Sequence, residues 1–146
     1  MPTTINIFKE ISVAHVTHSG ALTMPELRDA WKTLYEDPDF KVGMNEIADF
    51  SATTAFDIGF DEMLAFAKDS QAIHAARQTK ITLIIIAPSN MSSKVADMFT
   101  DLAAAVDHGN DLVIVQGYPE AFALLDLSPE DIALFPASCH TESHLL

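Results

Sequence analysis

Side chains that could bind a charged group are concentrated in two hydroxyl-rich segments, each of which follows an apolar segment of strand character. The first segment provides Ser51, Thr53, Thr54 and Asp57, and the second provides Ser89, Asn90, Ser92 and Ser93. Hydroxyls and the free N–H groups at a helix start can hold an anion or a phosphorylated side chain. Open α/β sheets bind ligands outside the carboxyl ends of their strands. We therefore predict two loops on a common edge of a sheet, although Ser89, Asn90 or Asp57 could instead only cap helices.

An apolar pocket between two predicted helices is the second candidate site. Its residues are aromatic rings and methionines on or near these helices: Phe56, Phe60, Met63, Met98 and Phe99. If the sheet leaves part of this stripe uncovered, it would form a pocket for a lipid-like apolar molecule or pair two copies of the chain. Methionine and phenylalanine at helical spacing are also typical of an ordinary core, so this alternative stays open.

No motif of an established catalytic or cofactor chemistry is present. The chain lacks Gly-x-x-x-x-Gly-Lys-(Ser/Thr), Gly-x-Gly-x-x-Gly and Gly-x-Ser-x-Gly, and its histidines are scattered. We therefore expect no cofactor and favour a protein that is not an enzyme, with a minor hydrolase as an alternative. Cys139, His140 and His144 could ligate zinc, but a structural zinc site is typically built from two ligand pairs, so we predict no metal.

Composition excludes several classes of function. Among 146 residues, 21 are acidic and 8 basic, and the formal charge of −13 repels nucleic-acid backbones and anionic membranes. A single cysteine excludes internal disulfides and fits a reducing compartment. The longest apolar run, from Ile81 to Pro88, is too short to span a bilayer, and the N-terminus lacks the pattern of a secretion signal. We expect a cytoplasmic protein without nucleic-acid or membrane partners.

Hydrophobic periodicity indicates one α/β domain over residues 1–135. Two segments, 4–10 and 12–19, predict an opening β-hairpin, in which His15 and His18 must face opposite sides. Helices with capping motifs and amphipathic spacing then alternate with strands, of which 81–87 is apolar on both faces and therefore central. We predict a five-stranded, mostly parallel sheet with helices packed on its faces, followed by a flexible polar tail over residues 136–146.

The order of elements and two short motifs resemble the SpoIIAA-like and STAS-like domain family, which includes the anti-sigma-factor antagonists of bacteria. Family members carry a strand that ends in Asp-Leu-Ser, followed by Asp-Ser-Ser-Gly-Leu at a helix start. The matching residues are Asp49-Phe-Ser51 and Asp57-Ile-Gly59. The chain is more similar still to uncharacterised bacterial members, with which it shares Gly20 to Thr23, Asp37 to Phe40, Ala87 to Ser89 and Glu120-Ala121.

The resemblance implies a non-enzymatic regulatory or protein-interaction module that contacts an unknown protein partner through the hydroxyl-rich edge. In the antagonists, a phosphorylated serine directly follows the second aspartate. Ile58 occupies that position here, so their phosphoswitch does not carry over. A carrier or sensor of an apolar small molecule is the alternative function. Exposed aromatic residues on the helices further suggest a homodimer.

Overall fold

A computed structural model describes residues 3–77, 80–105 and 111–140. The strands are β1 (Thr3–Phe8), β2 (Val13–Thr23), β3 (Asn45–Asp57), β4 (Thr82–Ile86) and β5 (Asp111–Val115). The helices are α1 (Met24–Glu36), α2 (Phe60–Arg77), α3 (Asn90–Ala105), α4 (Tyr118–Leu124) and α5 (Pro129–Ile132), followed by a 3₁₀ turn (Ala137–Cys139). One sheet has the order β1-β2-β3-β4-β5, antiparallel between β1 and β2 and parallel elsewhere. The predicted fold class is confirmed.

Local sequence explains the hairpin and the first helix. The turn between β1 and β2 contains Ser12 in the left-handed region, with φ of 57°. Thr23 and Glu26 form the predicted capping box at the start of α1, in which the Glu26 carboxylate accepts from the Thr23 N–H at 3.0 Å. Pro25 occupies the first turn, where its missing N–H costs no hydrogen bond. α1 is thereby held directly at the end of β2.

β4 is apolar from Leu83 to Ile86, and helices cover the sheet on both of its sides. Leu83 and Ile85 pack with residues of α1, α2 and α3, on what we call the α1–α3 face. Ile84 and Ile86 pack with residues of α4 and the 3₁₀ turn, on what we call the α4–α5 face. Successive side chains of a strand point to opposite faces, so the sheet separates two apolar clusters.

The predicted loop over residues 51–57 is wrong, because these residues continue β3. β3 pairs with β4 only from Glu46 to Asp49, but it runs on beside β2 as far as Asp57, which lies opposite Thr23. β2 is long enough to supply this pairing, and the register shifts on both sides of Ser19 and Gly20 let the two strands bend away from the sheet. We call residues 19–23 and 52–57 the β2–β3 arm.

The chain stays packed beyond residue 135, contrary to the expected loose tail. Cys139 is only 5% exposed and belongs to the same cluster as Phe122 and Phe135 on the α4–α5 face. His140 donates from Nε2 to the carbonyl of Ile132 at 2.8 Å. Residues 136–140 are therefore part of the domain. Residues 141–146 of the predicted tail lie outside the described residues.

Candidate functional site

An apolar cavity of about 110 Å³ lies between the α1–α3 face of the sheet and its three helices. Its walls include Leu27 and Trp31 of α1, Met63 and Phe66 of α2, Ala96 and Phe99 of α3, and Ala48 and Ile85 of the sheet. The Phe66 ring lies 5.1 Å from the Trp31 ring and 5.7 Å from the Phe99 ring, centroid to centroid. These rigid rings span the corner between the helices, while the small Ala48 and Ala96 fill little of it. Protein interiors have few voids of this size, so the cavity is a distinctive feature of the domain.

Buried polar side chains interrupt the apolar wall at several points: His18, Glu46, Ser70 and Ser92. The carboxylate of Glu46 accepts a hydrogen bond from the Tyr35 hydroxyl at 3.2 Å. Glu46 and Phe50 both line the cavity from β3, and four residues of strand correspond to roughly 13 Å. The cavity wall therefore extends along the strand, with Glu46 toward one end and His18, which stacks on Phe50, toward the other.

His18 is held as a neutral side chain in this wall. It is 2% exposed, and its ring stacks on Phe50 with centroids 4.8 Å apart and planes 13° from parallel. Its Nδ1 is hydrogen-bonded to the Thr3 hydroxyl at 3.0 Å. Burial lowers the pKa of His18 to about 4, although the negative charge of Asp49 acts in the opposite direction. The imidazole is therefore uncharged at neutral pH.

The five residues of the predicted apolar pocket are divided between two places. Phe56, Met63 and Phe99 line the cavity. Phe60 is 58% exposed, and together with Met98 it borders a shallow surface depression that also includes Lys94 and both carboxylates of Asp97 and Asp101. Sequence spacing placed all five on or near the same two helices. It could not separate the residues that face the sheet from those near the outer surface of α3.

The hydroxyl-rich residues of β3 do not form a common cluster. Ser51 is exposed and bonds to Asp49, donating to its Oδ1 from the backbone N–H at 2.8 Å and from Oγ at 2.6 Å. The Thr53 hydroxyl donates to the carbonyl of Phe50, so this side chain is used within the strand. Thr54 and Asp57 are exposed on the β2–β3 arm. Thr54 lies five residues beyond Asp49, which is about 16 Å along a strand.

The hydroxyl-rich residues after β4 are arranged as a helix cap. The Ser89 hydroxyl accepts from the backbone N–H of Ser92 at 3.0 Å and lies 2.7 Å from the Ser92 hydroxyl. Ser92 is 1% exposed, whereas Ser89 and Asn90 are exposed and Ser93 is half-buried. Ser89 therefore acts as a helix cap, which was the alternative interpretation of this residue. Since Asp49 pairs with Ile86, the segments after these residues start from the same edge of the sheet, but β3 then continues away from it.

A buried polar cluster on the α4–α5 face was missed by the sequence analysis. The Tyr118 hydroxyl donates to Oδ2 of Asp49 at 2.5 Å and lies 2.7 Å from Nε2 of His15. Because the phenolic proton is directed to Asp49, Nε2 of His15 is the donor in the second bond. Nδ1 of His15 is buried and has no hydrogen-bond partner among the described residues. The available signal was the presence of Asp49 and His15 in predicted strands. Their common partner, Tyr118, is distant in sequence.

The protonation states in this cluster follow from burial. Burial raises the pKa of Tyr118 well above its usual range, and the hydrogen bond to Asp49 and the contact with Cys139 act in the same direction. Burial lowers the pKa of His15, which the charge of Asp49 only partly opposes. The cluster thus contains a neutral phenol and a neutral imidazole beside Asp49. His15 and His18 face opposite sides of the sheet, as predicted, because His15 contacts Phe135 while His18 lines the cavity.

The candidate zinc ligands near the C-terminus are not brought together by the described residues. Cys139 is buried beside Tyr118, and Nε2 of His140 is committed to a backbone carbonyl. His144 lies outside the described residues. Within residues 3–77, 80–105 and 111–140, no group of three or more His, Cys, Asp or Glu side chains could hold a metal ion.

The sequence matches no protein-family model, and no curated protein is significantly similar to it. Among the described helices, none combines the length and apolar content needed to cross a membrane. The fold and the site together define a mixed α/β domain with a five-stranded sheet and an apolar cavity under its three larger helices.

Proposed function

We propose that the protein binds a small apolar molecule in the cavity between the sheet and α1, α2 and α3. The observation that carries this proposal is the cavity itself, about 110 Å³ and walled mainly by aromatic and aliphatic side chains. An apolar occupant would remove these side chains from water and gain dispersion contacts with them.

The volume limits the size of the ligand. An apolar cavity of about 150 Å³ in another protein stays dry and takes up benzene. A cavity of 110 Å³ therefore suits a single ring or a short aliphatic chain. A long-chain lipid would require α1, α2 or α3 to move away from the sheet. The proposed role is that of a carrier or sensor for a small, mainly apolar molecule.

We also propose that the chain is a divergent SpoIIAA-like or STAS-like domain of bacterial type. The strand order, with an antiparallel opening hairpin followed by parallel strands, supports this proposal. Ile58, which replaces the phosphorylated serine of the antagonists, has no hydroxyl and belongs to the cluster around the cavity. A half-buried apolar side chain at this position favours ligand binding over a phosphoswitch.

Titration with toluene tests the ligand-binding proposal. The ¹H–¹⁵N NMR signals of residues that line the cavity should shift in a saturable manner. Ala96→Leu places a larger side chain in the wall and should abolish these shifts. Ala104→Leu makes the same change on the exposed side of α3 and should leave binding unchanged. If toluene causes no saturable shifts in the wild type, or if both variants bind it equally, the proposal is wrong.

A protein-contact role is the second candidate, and the β2–β3 arm favours it. Residues 52–57 pair only with β2 among the described residues, so one edge of this part of β3 is available for another strand. Residues 52–56 carry no charge, which is unusual for an exposed edge in an acidic protein. A second copy of the chain is the simplest occupant, with the two edges pairing across a twofold axis.

The salt dependence of self-association tests this second candidate. Two chains with formal charges of −13 repel one another, and salt screens this repulsion. Light scattering at about 50 µM protein, a range that detects weak dimers, should show more dimer at about 0.5 M salt than at about 0.05 M. Thr54→Lys should lower the dimer fraction, whereas Ser19→Lys on the other edge should not. A monomer under all conditions would exclude pairing through this edge.

A further inference from the structure

We propose that His18 is the hydrogen-bonding group of the cavity, and that its ligand is a neutral aromatic molecule with one hydroxyl group, of the phenol class. This inference rests on the proposed function, because it specifies the ligand of the same cavity. Three features of the site carry it: the unused nitrogen of His18, the charge of the surrounding groups, and the aromatic character of the wall.

One nitrogen of the His18 ring remains free for a ligand. Nδ1 is hydrogen-bonded to Thr3 at the β1 side of the ring, and the distal Nε2 has no hydrogen-bond partner among the described residues. The side chain is 2% exposed and lines the cavity, so a molecule in the cavity lies against this ring. A ligand group that bonds to this nitrogen adds a hydrogen bond that the protein itself does not supply.

A hydroxyl group is the ligand group that fits either form of the ring. The Thr3 hydroxyl can donate to Nδ1 or accept from it, so Nε2 is correspondingly a donor or an acceptor. A hydroxyl both donates and accepts and therefore satisfies Nε2 in both cases. A carbonyl would fit only the donor form, and an amine that lacks a usable lone pair would fit only the acceptor form.

Charge argues against an anionic ligand. Glu46 lines the same cavity, and Asp49 lies close enough to His18 to affect its pKa. Burial keeps the imidazole neutral, so no cation is present at His18 to pair with a ligand carboxylate. An unpaired carboxylate in such a wall would lose its hydration without compensation. The ligand is therefore uncharged at neutral pH, as a phenol with an ordinary pKa of about 10 is.

The shape of the wall favours a flat ring. Trp31, Phe50, Phe66 and Phe99 all line the cavity, and the Phe50 ring stacks on His18 itself. Aromatic rings pack against one another in stacked or edge-to-face geometry with additional stabilisation beyond area burial. A phenol bonded to Nε2 would present its ring to these side chains.

Comparison of phenol with toluene in two variants tests the inference. The two probes have the same number of heavy atoms and differ in a hydroxyl and a methyl group. Their dissociation constants, expected to be on the order of 0.1–1 mM for ligands this small, are measured by NMR titration at pH 7. His18→Phe keeps a ring to stack on Phe50 and removes both nitrogens. His140→Phe makes the same change on the α4–α5 face.

The affinity ratio of phenol to toluene is the diagnostic quantity. We expect His18→Phe to lower this ratio about fivefold to tenfold, as loss of one hydrogen bond predicts, and His140→Phe to leave it unchanged. In the wild type, phenol but not toluene should shift the ¹⁵N resonance of His18 Nε2, a measurement that does not depend on the variant folding. An unchanged ratio in His18→Phe, or no phenol-specific ¹⁵N shift, overturns the inference.

The outcomes separate this inference from the proposed function. If toluene binds to the wild type and phenol does not, the cavity is a ligand site but His18 is not its recognition group. If both probes bind to the wild type and His18→Phe has the same affinity ratio of phenol to toluene, the same conclusion holds. If neither probe binds, both the cavity proposal and the inference on His18 are wrong.

Discussion

The hydroxyl of Tyr118, at the start of α4, donates to Oδ2 of Asp49 in β3 over 2.5 Å. Asp49 is only 5% exposed, and it also accepts two hydrogen bonds from Ser51, one from the backbone N–H and one from the hydroxyl. The carboxylate is thus surrounded by donors, which is the condition for burying a charge at modest cost. The bond joins the C-terminal helices to the centre of the sheet.

Removal of the Tyr118 hydroxyl should destabilise the domain strongly. In Tyr118→Phe, the buried carboxylate of Asp49 loses a donor and Nε2 of His15 loses its acceptor. We expect the free energy of unfolding to fall by about 3 kcal/mol in urea titrations, because buried groups left unsatisfied cost more than a hydrogen bond gains. Tyr35→Phe, which removes a longer 3.2 Å bond to Glu46, should cost less, about 1 kcal/mol. Equal losses would contradict this account of the cluster.

Stability should decrease on acidification partly because of His18. Its pKa is lowered from 6.5 to about 4, so the unfolded chain takes up a proton at higher pH than the folded chain does. The contribution of neutral His18 to the free energy of unfolding is fully present above pH 6.5. It is lost as the pH falls from 6.5 toward 4. Between pH 7 and pH 4, the unfolding free energy of the wild type should drop by about 3 kcal/mol more than that of His18→Phe. Parallel pH profiles for the two proteins would show that His18 is not neutral when folded.

Enlargement of the cavity should couple stability to ligand binding. Phe99→Ala removes a ring that is 8% exposed and packs against Phe66, with an expected loss of about 3–5 kcal/mol. Toluene should raise the Tm of this variant more than that of the wild type, because the larger space allows more contacts. Phe60→Ala removes a ring that is 58% exposed and should change stability by less than about 0.5 kcal/mol. A similar loss in both variants would argue against the cavity as described.

The Cys139 thiol should be protected in the folded protein. It is 5% exposed and packs among Phe122 and Phe135. Reaction with a thiol reagent then requires local opening, and an opening free energy of about 3 kcal/mol slows the reaction roughly 100-fold relative to the denatured chain. Rapid modification under native conditions would show that residues 136–140 do not stay packed on the α4–α5 face.

The sequence predicts those elements whose signals are local. The capping box of Thr23 and Glu26 and the two-sided apolar character of β4 are read from neighbouring residues, and both are confirmed. The extension of β3 is missed because its partner segment in β2 lies more than thirty positions earlier, and polar residues with alanines look like a loop on their own. The bond between Asp49 and Tyr118 spans 69 positions, which no periodicity reveals.

The cavity is likewise beyond local patterns. Its volume depends on how Phe66 and Phe99 meet across two helices and on which small side chains oppose them. Spacing predicts that Met63 and Phe99 face inward, but packing of three helices on a sheet decides whether space is left between them. The predicted residue types were therefore informative, whereas the volume required the tertiary structure.

Trp31 lies in the wall of the cavity and is the only tryptophan of the chain. Its indole fluorescence is therefore a signal from one site, at the wall that a bound ligand would contact. Uptake of an aromatic molecule should change the emission intensity or wavelength without any added label. The chain thus contains its own optical reporter of occupancy, suited to screening compound collections in dilute solution.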